Sequence, residues 1–226
     1  MRKIFLPIIV FVLGGLATAF GQSADLLQKA NAGDPAAQVK MGNLYAFGQG
    51  VPRNSQEAVK WFKKAAQQGY PEGEYRLGGM YDVGFGVPPD PATAVKWYQQ
   101  AAKQGLLEAE YRLGIMYEQG RGVPKDDAEA ANWYQKAAIG GRPEAQFKLG
   151  EIYETGRGLP QSYKEAWAWY YRAAQQNRPE AEFKLGKLCE LGLGVPQSTS
   201  EAIKWYRQAI AKGDSEAEES LSALQK

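Results

Sequence analysis

The chain of 226 residues contains no histidine. That absence removes Ser-His-Asp and Cys-His nucleophilic systems and every zinc site built on imidazole. It contains one cysteine, Cys189, so it can form no internal disulfide and no thiolate metal cluster. No serine is followed three residues later by lysine, so the serine nucleophile of common β-lactamases has no motif here. No P-loop is present, and the Gly-x-Gly pairs do not lie between a strand pattern and a helix pattern. Charge does not lean to one sign. The 27 Lys and Arg face 25 Asp and Glu, and without Arg2 and Lys3 the bases number 25 as well. A nucleic-acid surface needs a basic face that displaces counterions, and neither the balance nor its distribution points to one. No cofactor and no metal are expected.

Long apolar runs are also scarce. The one uncharged apolar stretch, Ile4 to Phe20, follows Met1-Arg2-Lys3. It contains Pro7, Gly14 and Gly15, and its 17 residues are short for a membrane span of about 20 residues. Ala17-Thr18-Ala19 is a small-x-small cleavage signal, with Ala19-Phe20-Gly21 as a second. Residues 1–21 are expected to be a signal peptide, leaving a periplasmic or secreted chain with no membrane span. No cysteine stands near the site to carry a lipid.

What the sequence has in abundance is periodicity. A motif L/M-G-x-x-Y places its glycine at Gly42, Gly78, Gly114, Gly150 and Gly186, a step of 36 residues, with Cys189 in the last tyrosine's place. Tryptophan keeps that step at Trp61, Trp97, Trp133, Trp169 and Trp205. So do the loops Gly48-Gln49-Gly50-Val51-Pro52, Gly84-Phe85-Gly86-Val87-Pro88 and their successors. A fixed period in this range means an array of units, each burying its apolar face against its neighbours.

The third unit shows how one repeat folds. Ala109, Leu113, Met116 and Tyr117 share one helical face. Gly120 ends that helix, since glycine tolerates the left-handed cap. Asp126 starts a second helix, in a column that reads Asn54, Asp90, Asp126, Ser162 and Ser198. All five have short side-chain acceptors that reach the unpaired amides of a first turn. Three positions on, Glu57, Glu129, Glu165 and Glu201 complete a capping box in four of the five. The second helices are expected to stop at Gly69, Gly105, Gly140 or Gly141, Asn177 and Gly213. The glycine and alanine columns (Gly42 and Ala58 with their equivalents) are read as sites of close helix approach. The tryptophans and the Phe62/Tyr98/Tyr134/Tyr170/Tyr206 column are read as filling the space between units. The expected architecture is all-α, an α-solenoid of five helix-loop-helix repeats over 35–214. A capping half-repeat at 22–34 and a polar capping helix at 215–226 close its ends.

The third unit reads Ala109-Glu110-Tyr111-Arg112-Leu113-Gly114-x-x-Tyr117, then Gly120-x-Gly122-Val123-Pro124-x-Asp126, then Trp133-Tyr134-x-x-Ala137-Ala138-x-Gly140. These residues resemble the SEL-like repeat (SLR) family, a branch of the tetratricopeptide superfamily, over nearly all of the chain after the apolar stretch. The period of 36 and the G-x-G-V loop separate it from the plain tetratricopeptide repeat of 34. The resemblance implies a right-handed superhelix whose first helices line the concave side, and scaffolding and protein binding in place of a shared reaction. A cysteine-rich branch is linked to penicillin binding or β-lactamase activity, and this chain lacks its cysteines.

Where tetratricopeptide arrays bind, certain first-helix positions face the groove. Here they give an aromatic row, Tyr75, Tyr111, Phe147 and Phe183, beside an acidic row, Asp82, Glu118, Glu154 and Glu190. The sharp reading is a groove for a segment with apolar and basic residues, anchored by the aromatics. The bland one is aromatics packed between first helices and acids solvated. A second candidate patch is Tyr163, Trp167 and Tyr171, on one face of the fourth unit's second helix. Glu72/Arg76, Glu108/Arg112, Glu144/Lys148 and Glu180/Lys184 are read as i, i+4 surface pairs, not as paired catalytic carboxylates. The expected function is a non-enzymatic extracytoplasmic scaffold that binds another protein. The rival readings are a cell-wall enzyme or penicillin-binding protein, and a binder of cell-wall glycan through exposed aromatics.

Overall fold

Asparagine, aspartate or serine opens every second helix, and the computed structural model, which describes residues 24–225, shows why. Asn54, Asp90, Asp126, Ser162 and Ser198 each accept a hydrogen bond from the amide three residues on, at 3.0–3.3 Å. The main-chain amide of each cap donates back to the first helix of its own unit, from Asn54 to the Tyr45 carbonyl and from Ser198 to the Cys189 carbonyl, both at 2.8 Å. The loop between paired helices is therefore closed by backbone, which is why cysteine serves in a tyrosine column. Pro35, Pro71, Pro91, Pro143 and Pro179 sit at helix starts, where a missing amide proton costs nothing.

The described residues form two compact units. The first holds α1 (24–31), α2 (Pro35–Phe47), α3 (Ser55–Gln67), α4 (Pro71–Val83) and α5 (Pro91–Lys103). The second holds α6 (Leu107–Gln119), α7 (Asp127–Ile139), α8 (Pro143–Thr155), α9 (Tyr163–Ala174), α10 (Pro179–Leu191), α11 (Thr199–Ala211) and α12 (Glu216–Leu224). Within each, first and second helices alternate and pack as antiparallel pairs, the layout of an α-solenoid. The expected signal peptide lies outside the described residues. Among the described residues no helix is long and apolar enough to cross a membrane. Of the two candidate stops after α7, Gly141 takes the left-handed conformation and Gly140 stays right-handed. Asn177 is the one non-glycine residue with positive φ among the described residues, as its place in a glycine column requires.

Tyr98, Tyr134, Tyr170 and Tyr206 lie fully buried over the glycine of their own unit, and the column also fills the space to the next unit as expected: Tyr134 packs with Ile152, and Tyr170 with Ala181, Leu185 and Leu188. A Cβ on Gly114 would stand 2.5 Å from the Tyr134 ring, and one on Gly150 2.5 Å from Tyr170. The glycine column thus exists to seat a ring. The tryptophans do bridge successive units: Trp169 packs with Ala137, Ala138, Ala145 and Leu149.

Candidate functional site

Each aromatic of the predicted row sits half-buried on a first helix and leans on the buried ring of its own unit. Tyr111 meets Tyr134 at 5.6 Å between centroids, Phe147 meets Tyr170 at 5.5 Å, and Phe183 meets Tyr206 at 5.8 Å. In the first compact unit Tyr75 and Tyr98 do the same at 5.7 Å. The row therefore continues the core outward, each ring backed by a buried neighbour.

The acidic row is neither solvated nor free to attract a basic segment. Glu118 accepts a hydrogen bond from the Tyr134 hydroxyl at 2.7 Å and pairs with Arg157. Glu154 accepts from Tyr170 and holds Lys184 at 3.0 Å; Glu190 accepts from Tyr206 and holds Lys187 at 3.2 Å. Asp82 is buried, with 4% of its surface exposed. A buried phenol needs an acceptor, and the carboxylate sixteen residues earlier supplies it. Burial, reinforced by that carboxylate, pushes the Tyr134, Tyr170 and Tyr206 hydroxyls far above the usual phenol range. Charge reversal at Glu118 or Glu154 would thus strand a buried hydroxyl and weaken the fold before it slowed any association. The recurring sixteen-residue step was the signal in the sequence for this pairing.

The expected helical ion pairs are also largely rearranged. Glu72 and Arg76 meet at 2.7 Å as predicted. Glu108 is met by Arg142 at 3.2 Å, Lys148 turns to Glu151 at 2.9 Å, and Lys184 turns to Glu154. Glu144 lies between Arg142 at 3.3 Å and Arg178 at 3.7 Å, and Arg178 also reaches Glu180 at 3.6 Å. The two arginines lie over the aromatic row as well, Arg142 at 4.9 Å from the Tyr111 centroid and Arg178 at 6.0 Å from that of Phe147. Arginine at the residue before a first helix occurs in only two units, so no column pattern announced this arrangement.

An opening lies on this face of the second compact unit. It is a pocket of about 470 Å³ between α8, α10 and the start of α12, lined by Phe147, Phe183, Pro179, Glu180, Asp214 and Glu216 among others. Phe147 and Phe183 line this opening and Tyr111 does not, so it lies toward the Phe183 end of the row.

The second patch is smaller than predicted. Tyr163 and Trp167 pack against the core beside Ala166 and Tyr170. Tyr171 alone is exposed, at 39%, stacked on Trp167 at 5.1 Å and edge-on to Trp205 at 6.1 Å. Cys189 is buried, and burial pushes its thiol up, which removes the thiolate that redox or cross-linking chemistry would need.

Comparison with known proteins agrees with this geometry. The family model for the Sel1 repeat matches residues 35–70, 71–106, 107–141, 143–177 and 179–214. A protective antigen present in uropathogenic Escherichia coli strains, displaying an SLR fold, is 38% identical at a TM-score of 0.87; the match covers 89% of this chain and 43% of that one. A Sel1 repeat protein from Oxalobacter formigenes is 36% identical at 0.80, covering 88% and 58%. This chain therefore spans about half the length of those two relatives. A putative Sel1 repeat protein from Klebsiella pneumoniae shares the fold at 23% identity and a TM-score of 0.54, over 89% and 98%. No curated protein matches the chain.

Proposed function

We propose, because the chain belongs to the Sel1 repeat family, that it is an extracytoplasmic, non-enzymatic scaffold that binds another protein on the first-helix face of its repeats. The observation that carries this reading is the row Tyr111, Phe147 and Phe183, one ring per unit, each backed by a buried tyrosine, with Phe147 and Phe183 lining a 470 Å³ pocket. Rings held from behind lose little freedom on binding, which is what an anchor residue requires. A scaffold of this kind needs no cofactor.

Full-length chain carrying Tyr111→Ala with Phe147→Ala is expected to keep its helical circular dichroism and to lose its crosslinked partner in a capture from native envelopes. Truncation of central aromatic anchors commonly costs about 2 kcal/mol or more, about thirtyfold in affinity. A folded double variant that captures the same partner at wild-type yield would move the site elsewhere, with Tyr171 and its neighbours Trp167 and Tyr163 as the next surface to truncate.

The extracytoplasmic part of the proposal is supported by the charged start, the apolar stretch and the small-residue site of residues 1–21. A protective antigen among the relatives accords with it. The expected product is a chain beginning near Phe20 or Gln22, recovered from the periplasmic or extracellular fraction. N-terminal sequencing that returned Met1 from the membrane fraction would refute the cleavage.

A further inference from the structure

Three columns meet on the first-helix face of residues 105–225. One carries glutamate at 108, 144, 180 and 216. One carries the aromatic at 111, 147 and 183. The third carries Arg142, Arg178 and then Asp214. At the first step the Arg142 guanidinium lies over Tyr111 and between Glu108 and Glu144. At the second, Arg178 lies over Phe147 and between Glu144 and Glu180. The third step has its ring, Phe183, and both carboxylates, Glu180 and Glu216, but the position that would supply the cation holds Asp214. The pocket of about 470 Å³ occupies that place, and its lining includes all four residues.

Within the pocket the charge is one-sided. Asp214 Oδ1 accepts from the Ala217 amide at 3.1 Å, which keeps the carboxyl at the pocket wall. Lys184, the cation of the lining, is held by Glu154 at 3.0 Å. A planar guanidinium stacks on an aromatic face and takes carboxylates on its edges, whereas an ammonium is a compact, strongly hydrated point charge. The chain itself demonstrates that geometry twice, one and two units away.

We propose that the pocket over Phe183 is a subsite for an arginine side chain of the protein partner, which completes the ladder that Arg142 and Arg178 begin. The assignment rests on the protein-binding reading above and names the chemistry of the segment bound at its Phe183 end.

The test uses isotope-labelled full-length chain and the peptide acetyl-Gly-Gly-Arg-Gly-Gly-amide, followed by NMR. The peptide should shift the amide signals of 180–187 and 213–218. Its citrulline counterpart, the same shape without charge, should bind at least about tenfold more weakly, and its lysine counterpart about threefold more weakly. Phe183→Leu should weaken the arginine peptide about fivefold through loss of the ring face. Glu216→Gln, at an exposed position that leaves the fold alone, should weaken it about threefold. Asp214→Arg, which seats the chain's own arginine, should abolish binding. The proposal is overturned if the arginine peptide leaves those signals unmoved, if citrulline or lysine binds as tightly, or if Phe183→Leu and Glu216→Gln bind like wild type. The two readings fail separately. Partner capture that needs Tyr111 and Phe147, beside a pocket that ignores the arginine peptide, keeps the scaffold and removes the subsite. A peptide seated in the pocket with partner capture indifferent to the double variant keeps the subsite and removes the wider groove.

Discussion

Gly114→Leu is expected to destabilise the protein by about 1–3 kcal/mol or more, the usual range for forcing extra atoms into a packed core. A Cβ alone at this position would stand 2.5 Å from the Tyr134 ring. The ring cannot step aside: it is fully buried, and its hydroxyl is held by Glu118 at 2.7 Å. The sign of the result is informative, because intrinsic helix preference runs the other way. Leucine in a helix interior is favoured over glycine by about 0.8 kcal/mol, so a glycine facing open space would give a more stable variant. Gly79→Leu supplies that control. Its Cβ would meet only the Tyr98 hydroxyl, at 3.7 Å, and its thermal midpoint should hold or rise. Since repeat arrays lose stability locally, the loss should appear as earlier unfolding of residues 105–225, visible by hydrogen exchange as well as by circular dichroism. A Gly114→Leu midpoint equal to wild type would show that the ring is not seated on this glycine.

Glu110→Gln is expected to stabilise the protein at neutral pH by about 1 kcal/mol or more, the scale of one unsatisfied buried polar group. Buried polar residues recur at this position, and most meet a partner thirty residues on. Gln38 takes a hydrogen bond from Gln68 at 2.8 Å, Glu74 from Gln104 at 2.9 Å, Gln146 from Gln176 at 2.8 Å and Glu182 from Lys212 at 2.7 Å. Thirty residues after Glu110 stands Gly140, which has no side chain to offer. Leu107, in place of the usual proline, fills the space: a Cβ on Gly140 would fall 2.2 Å from its Cδ2. Glu110 is 7% exposed and its Oε2 meets no donor. Burial pushes its carboxyl up, with Lys136 opposing. For a carboxyl raised in the folded state, the native chain holds its proton more tightly than the unfolded chain. Stability contributed by this group therefore increases as pH falls through the folded pKa toward the unfolded value near 4.3, and the penalty is complete above the folded pKa. The variant should remove that component, so its advantage over wild type should shrink as pH is lowered toward 4.3. An advantage that stayed constant across that range would assign the gain to something other than the buried charge.

Both predictions turn on pairs that the repeat period pointed to and three-dimensional packing defined. Columns announced that Gly114 and Tyr134 matter, because both recur every 36 residues. They did not announce that one is the seat of the other, since nothing in a column says which other column it touches. The acid row shows the same limit. Glu118, Glu154 and Glu190 were legible as a row, but their role as acceptors for buried phenols depends on a contact across two helices. The predicted Glu144/Lys148 and Glu180/Lys184 pairs assumed that a helix satisfies its own charges. In the folded chain the arginine preceding each helix competes from a better angle, with two carboxylates and a ring within reach.

The sequence alone determined the number and boundaries of the repeats, the helix starts and stops, and the exclusion of histidine- and thiolate-based chemistry. All of these depend on residues within one unit: a cap reaches three residues and a left-handed turn needs one. Only the tertiary structure decided which rings are core and which are surface, which acids are spoken for, and where the face opens. Those outcomes depend on what a neighbouring helix brings to the same few ångströms. At the Phe183 end that neighbour is α12, with Asp214 and Glu216 where the preceding units carry arginine and glutamate, and so a pocket stands where the ladder would otherwise close.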